Sequence, residues 1–388
     1  MKKNSYKIKV CKKNVFWIIS VFILTLISWF FLYDKNGIRQ NSEETEIGVI
    51  LPLTGDWGGF GHRMENGILL WKKQNPNARV NIHIEDGMGK ANNSISAFNK
   101  LISVNMINAC ITGVSPVVLG LAPVAEKKEI FLINAGATNP DIKKSSDYVF
   151  TLIPDADVEA AYIAGFLLNS LKKTECFVYW KNDDSGKGML DSFSKFYIRN
   201  GGSIKGNAAI TSMDDIKNTL SKIQSLKVKT VFVPTNGEMI AKIINQAYKL
   251  GLNDILWVGY AATESPELKN DLAFLKDVKL IFSSYSFDGN KAFSEKSRQF
   301  INDYQAEFGE VPAYYSATCY DAISLIYDAL KNYNGDSKSI KKYIYNLKSY
   351  NGVSGNFHID GKNYVTSGLS FKMFNNGHIM PINIELYK

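Results

Sequence analysis

The sequence predicts an α/β protein made of two lobes, each a doubly wound parallel sheet. Three observations predict it. From residue 46 onward, short apolar runs alternate with longer helical patterns, which is how strand–helix–strand units read. The runs are continuous in Val, Ile and Phe rather than alternately polar, as strands covered on both faces require. The alternation also occurs as two sets of similar layout, and a chain of 388 residues has room for two cores.

The first set places strands at 47–51, 80–85, 107–112, 130–134 and 148–152, with helices at 64–74, 91–104 and 117–127. The second places strands at 176–180, 230–233, 255–258 and 278–283, with helices at 157–172, 186–200, 214–226 and 238–250. Gly251 follows the last of these, where glycine in left-handed backbone closes a helix. Residues 291–308, 313–333 and 337–347 return to helix, and residues 352–387 read as strands and turns.

Ahead of this lies a segment of different character. Residues 1–14 carry six lysines and no acid, and residues 15–33 carry no charge. The run VFWIISVFILTLISWFFLY is long enough to cross a bilayer core as a helix, with aromatic residues at both ends. The lysines place residues 1–14 in the cytoplasm, residues 15–33 in the membrane as an anchor or signal, and residues 34–45 outside as a tether. No small-residue cleavage site follows the run, so an uncleaved single-pass anchor is expected, with the globular part in the periplasm or outside the cell.

The net charge of +8 comes largely from that terminus. Without its six lysines, 39 basic residues face 37 acidic ones. A balance so even gives no footprint for nucleic acid.

Catalytic and metal patterns are missing. Cys11 precedes the apolar run, and Cys110, Cys176 and Cys319 are isolated, which reads as buried thiols. His62, His83, His358 and His378 have no metal-ligand spacing. There is no GxSxG elbow and no GxxxxGK[ST] phosphate loop. The acid pairs Asp183–Asp184 and Asp214–Asp215 are adjacent, so their side chains diverge. The reading is of a binding protein, not an enzyme, without cofactor or metal.

Ligands of doubly wound sheets bind beyond the carboxyl ends of the strands. Three loops there stand out. PLTGDWGGFG (52–61) offers glycines for close backbone approach and two aromatics, Trp57 and Phe60, to wall a pocket. GVSP (113–116) places Ser115 as a helix N-cap with Pro116 at the first helical position, and a cap serine with free amides also suits a carboxylate. NAGATNP (134–140) supplies small residues and a hydroxyl at Gly136, Ala137 and Thr138.

Several strings resemble the type I periplasmic solute-binding proteins, most of all the branched-chain amino-acid-binding (Leu/Ile/Val-binding) branch that serves ABC transporters. They are IGVILPLTG (47–55), GLAPVAEKKEIFLINAGATNP (120–140), YVFTLIPDADVEAAYIAGFL (148–167), DDSGKGMLDSF (183–193), YKLGLNDILWVGYA (248–261), AYYSATCYDAISLIYDAL (313–330) and VSGNFHIDGKN (353–363). The resemblance covers about residues 46–388. It implies two flavodoxin-like lobes, 46–153 with 286–350 and 154–285 with 351–388, joined by three crossovers. It also implies that a small polar solute is bound between the lobes and handed to permease subunits in the membrane.

The resemblance carries over to single residues. It assigns Ser115 to a ligand carboxylate, Gly136, Ala137 and Thr138 to both ends of an amino acid, and Phe60, with Trp57 nearby, to the side-chain pocket. Ser185, Asn236 and Tyr260 stand at the ligand-facing loop positions of the second lobe. Three departures accompany them. Ser185 and Thr235-Asn236 stand where aromatics are usual, and Ala261 stands where an acid usually receives the ligand's ammonium. The nearest acid in sequence is Glu264. A desolvated ammonium without a partner is costly, so the expected ligand is a carboxylate or neutral polar solute rather than a standard α-amino acid. The alternative role is a membrane-anchored sensing subunit acting through a partner.

Overall fold

The computed structural model describes residues 44–388 apart from positions 276, 286, 288, 290, 334, 360–362, 366–368 and 388. The expected cytoplasmic segment, anchor and tether lie outside the described residues, except that the first strand already begins at Thr45. Among the described residues no helix is long and apolar enough to cross a membrane.

The chain opens with β1 (Thr45–Leu51), α1 (Gly58–Gln74), β2 (Val80–Asp86), α2 (Ala91–Ser103), β3 (Ala109–Thr112), α3 (Ser115–Lys128), β4 (Phe131–Asn134), the short α4 (Ile142–Ser145) and β5 (Val149–Thr151). These strands form one sheet in the order β2-β1-β3-β4-β5, all parallel.

The pattern then repeats. It runs α5 (Ala156–Gly165), β6 (Glu175–Lys181), α6 (Asp184–Arg199), β7 (Ser203–Ile210), α7 (Met213–Ser225), β8 (Thr230–Phe232), α8 (Gly237–Lys249), β9 (Leu256–Gly259), α9 (Pro266–Leu272) and β10 (Leu280–Tyr285). Their strands order as β7-β6-β8-β9-β10, the same arrangement as the first sheet. Both are flavodoxin-type orders, in which the chain reverses direction across the sheet between its first and third strands.

Three helices follow: α10 (Glu295–Phe308), α11 (Tyr314–Asn332) and α12 (Ser337–Asn346). They pack against the first sheet. The Ser337 hydroxyl accepts from the Phe131 amide at 2.6 Å, and the Thr318 hydroxyl donates to the Ala135 carbonyl at 2.8 Å. The chain ends with the hairpin β11 (Ser349–Asn351) and β12 (Asn356–His358), then β13 (Leu369–Asn375) and β14 (His378–Pro381). The last two extend the second sheet antiparallel from β10.

All nine strands expected in the two βα sets are present, and the departures elsewhere have local causes. The strand β7 escaped the sequence reading because it is an edge strand with alternating exposure and no continuous apolar run. Helix α1 begins at Gly58, six residues before the expected start, and takes Phe60 into its first turn. The helix expected over 157–172 is α-helical only to Gly165 and continues as a π turn over Phe166–Ser170. Near the terminus, Ile384–Leu386 forms a 3-10 turn instead of a strand. Gly251 does adopt left-handed backbone, with φ of 74°. The three described cysteines are free and buried, as read.

Two apolar clusters hold the fold. One spans the first sheet with its helices, α10 to α12 and the near face of the second sheet. The other fills the far face of the second sheet around Trp257, Phe282 and Ile243.

Candidate functional site: facing strand ends

The nine candidate residues lie in the loops and first helical turns that follow β1, β3, β4, β6, β8 and β9. The loop after β1 is held by Asp86 at the end of β2. Its carboxylate accepts from the Leu53 amide at 2.9 Å, the Met88 amide at 2.7 Å and the Thr54 hydroxyl at 2.5 Å. Burial alone would raise this carboxyl; the bonds outweigh it and hold it below its usual range.

That loop presents Trp57, 8% exposed, edge-on to Phe60 at 5.5 Å, and Phe60 packs edge-on to Tyr315 of α11 at 4.5 Å. From the second sheet, the Lys181 ammonium at the end of β6 sits 4.1 Å from the centre of the Trp57 ring and 3.8 Å from the Asp56 carboxylate. Burial lowers the Lys181 pKa more than Asp183 and Asp56 raise it. Asn236 also reaches across, donating from Nδ2 to the Asp56 carbonyl at 3.0 Å, while its Oδ1 caps α8.

A second contact joins the loops after β3 and β6. The Ser185 hydroxyl donates to the Ser115 hydroxyl at 2.9 Å, and Ser115 also accepts from the Asn139 amide at 3.2 Å. Asn139 Nδ2 donates to the Asp184 carbonyl at 2.7 Å. The expected N-cap role of Ser115 is therefore corrected. Val114 is the cap residue, its carbonyl takes the first helical amides, and the serine hydroxyl serves the other sheet instead. Asp183 caps α6, accepting from the Gly186 amide at 2.9 Å.

The loop after β4 is ordered by its own asparagine. Asn134 Oδ1 accepts from the amides of Gly136 at 3.1 Å and Ala137 at 2.7 Å, so these two amides are already engaged. Thr138 is 3% exposed, and its carbonyl accepts from the Ala156 amide at the start of α5.

The loop after β9 contains Tyr260 and Ala261, both buried. Here the structure supplies an acid from an unexpected place. Glu159 of α5 is fully buried, and its Oε1 accepts from the Ala261 amide at 2.7 Å and the Ser283 hydroxyl at 2.5 Å. Burial pushes this carboxyl up to about 7 against the pull of those two bonds.

Two cavities open along this junction. One of about 120 Å³ is lined by Ala261, Tyr285, Phe287, Tyr314, Tyr315 and the ion pair Glu264–Lys372, whose Nζ and Oε1 lie 2.6 Å apart. Another of about 50 Å³ is lined by Phe60, Arg63, Asn236, Ala262 and again Tyr315 and Glu264. Of the residues at this place, sequence reasoning named Phe60 and Asn236 and did not name Lys181, Glu159, Tyr285 or Tyr315. No motif marks these four; only the fold brings α5, β6, β10 and α11 to one place. Among the described residues no group of His, Cys, Asp or Glu is arranged to hold a metal ion.

The periplasmic binding protein family matches residues 44–369. The Leu/Ile/Val-binding protein BraC3 of Rhizobium johnstonii is 26% identical over 196 residues, which is 48% of this chain and 53% of that protein. The chain thus spans about half the length of the curated relatives it matches. The leucine-binding protein LivK of Thermotoga maritima superposes with a TM-score of 0.80 at 22% identity, covering 87% of this chain and 98% of that one. LivJ of Streptococcus pneumoniae, solved with isoleucine, gives 0.78 at 22% identity, covering 86% and 97%. A solute-binding protein of an ABC transporter from Rhodopseudomonas palustris, solved with 3,4-dihydroxybenzoic acid, gives 0.76 at 19% identity, covering 87% and 95%. The structural likenesses are likenesses of fold; with the match over 44–369 and the paired flavodoxin-type sheets, the chain belongs to the periplasmic binding protein family.

Proposed function

We propose that the protein is an extracytoplasmic solute-binding protein that captures a small polar solute, an amino acid or a related carboxylate or amide, and delivers it to an ABC importer. Its two lobes are 46–153 with 286–350 and 154–285 with 351–388, and the solute lies in the cleft between them. Segment 15–33 holds the lobes at the outer face of the membrane, near the permease.

The observation that carries this reading is the direct bond between Ser185 and Ser115. Each serine stands in the first turn of a helix at the switch point of its sheet, where ligands of this architecture bind. Helix amides and hydroxyls converging from both sides suit a carboxylate. The solutes named for the structural relatives, isoleucine and 3,4-dihydroxybenzoic acid, share that group. Closure by hinge motion follows physically, because the cross-sheet bonds form only when the loops meet.

Native mass spectrometry of the protein purified from its own cell tests the reading. A retained small acid or amide, and co-purification with permease subunits, are the expected results. An empty protein that binds neither amino acids nor aromatic acids in calorimetry would refute it.

A further inference from the structure

A third cavity, of about 290 Å³, lies away from the strand ends. Helices α1, α10 and α11 and the turn after β11 form it, and it shares no lining residue with the two cavities at the junction of the sheets. Its volume approaches the lower end, about 300 Å³, of ordinary small-molecule sites. The walls are fixed by their own contacts. Trp71 meets Tyr327 edge-on at 5.2 Å, and Phe300 meets Tyr320 edge-on at 5.2 Å. The turn is pinned by the buried Asp321 carboxylate, which accepts from the amides of Val353 at 2.8 Å and Ser354 at 2.9 Å and from the Ser354 hydroxyl. A site built before its ligand arrives spares the cost of ordering it.

The lining says what fits. Its charged residues are two lysines and two aspartates, and each is already engaged. Lys331 pairs with Asp328 at 2.9 Å and lies over the Tyr327 ring, Lys296 donates to the Asn351 carbonyl at 3.2 Å, and Asp321 holds the turn. An ionic ligand would meet no unpaired opposite charge, and its desolvation would go uncompensated. What remains is neutral and two-sided. The amide nitrogens of Gln299 and Asn75 are taken, by Asp303 at 2.8 Å and by the Trp71 carbonyl at 2.8 Å, which leaves their carbonyl oxygens to accept. The Tyr320 hydroxyl donates to Gln74 Oε1 at 2.6 Å, so its oxygen can accept as well, and the Tyr327 hydroxyl adds a donor. Ligand hydroxyls, which both donate and accept, match that set. A pyranose ring carries several of them around a flat apolar face of the kind aromatic rings cover.

We propose that this cavity binds one ring of a neutral saccharide, at a site separate from the cleft between the lobes. The aromatic walls take the apolar face of the sugar, and Gln299, Asn75 and Tyr327 take its hydroxyls. The inference is independent of which solute the cleft holds.

Saturation-transfer NMR titrations on the full chain tests it, in dodecylphosphocholine micelles because that detergent carries no sugar head group. The probes are glucose, N-acetylglucosamine and the β-1,4-linked disaccharide of N-acetylglucosamine, so that a free sugar and a wall-type glycan are distinguished. The expected result is that at least one probe binds with a dissociation constant of about 1 mM or tighter, the scale for a ligand of a dozen or so heavy atoms. Gln299→Ala, at an exposed position, should weaken that binding roughly fivefold by removing one acceptor. Ser324→Phe should fill the cavity and abolish it. If Ser324→Phe does not fold, Gln299→Ala decides. Failure of all three probes to bind the wild-type protein in that range overturns the proposal. So does binding that Gln299→Ala, or a folded Ser324→Phe, leaves within about twofold, since the sugar would then sit elsewhere.

Discussion

The Ser185 hydroxyl donates to the Ser115 hydroxyl across 2.9 Å, tying the first turn of α6 to the first turn of α3. Two more bonds span the same junction, from Asn139 to the Asp184 carbonyl and from Asn236 to the Asp56 carbonyl. All three would break if the sheets parted. These polar contacts cross the junction beside the apolar cluster that the two sheets share, and their making and breaking suits an equilibrium a ligand can shift.

Ser185→Ala removes one of these bonds and leaves Ser115 its amide donor from Asn139. The loss is about 1 kcal/mol of closing energy, or roughly fivefold in ligand affinity. Small-angle scattering should show a larger mean radius of gyration for the ligand-free variant. An unchanged radius together with unchanged affinity would mean the bond does not stabilise closure.

Lys181→Met keeps the side-chain stem over Trp57 but removes the charge that meets the ring, Asp56 and Asp183. A partly desolvated cation–π contact contributes about 1–2 kcal/mol, so affinity should fall about fivefold to thirtyfold in calorimetry. Wild-type affinity in this variant would show the contact to be energetically idle.

Gly67→Ala and Gly165→Ala should move stability in opposite directions. A Cβ on Gly67 would lie 2.0 Å from the Ser316 carbonyl oxygen, so α1 and α11 would have to separate. The cost is about 2–4 kcal/mol, seen as a lower urea midpoint. At Gly165, inside its helix, the nearest atom to a Cβ is 3.9 Å away. Alanine there should stabilise by about 0.5–1 kcal/mol through helix propensity. Equal effects at both sites would contradict the packing described.

Stability should decline as pH rises from 5.5 to 8. Glu159 and Asp321 are both buried and hold their protons up to about 7 and about 6, above ordinary values of 4.5 and 3.8. Burial is the main cause in each; Asp321 is then pulled down by the Ser354 hydroxyl and the amides of Ser354 and Val353. The folded chain binds these protons more tightly than the unfolded one. Their contribution is therefore complete below the unfolded values and is lost as pH passes through about 6 and about 7. Carboxyls held low, such as Asp86, titrate below this window. Thermal melts of ligand-free protein should show the decline, and Glu159→Gln should flatten its upper part. A melting temperature that rises over this range would contradict the burial of both groups.

The strands were legible because a strand covered on both faces must be apolar at every position, as at 131–133 and 256–258, and no α-helix is that short. The edge strand β7 was not, since one solvated face dilutes the pattern to that of a loop. Ser115 and Phe60 were named because their strand-to-helix loops announce themselves through Gly, Pro and small polar residues, whereas Asn236 was named only through the resemblance to a family. Glu159 was passed over because its neighbours, DADVEAAYIA, describe an ordinary helix start, with Asp155 as its cap.

The sequence by itself determined the two βα sets, their strand ends and hence the list of loops able to meet a solute, because hydrophobic periodicity and turn chemistry are local. Only the tertiary structure decided which of those loops touch and which charges share a space. Burial and pairing of Glu159 depend on Ala261 and Ser283, more than 100 residues away along the chain, and no local pattern encodes a distance that only chain closure creates.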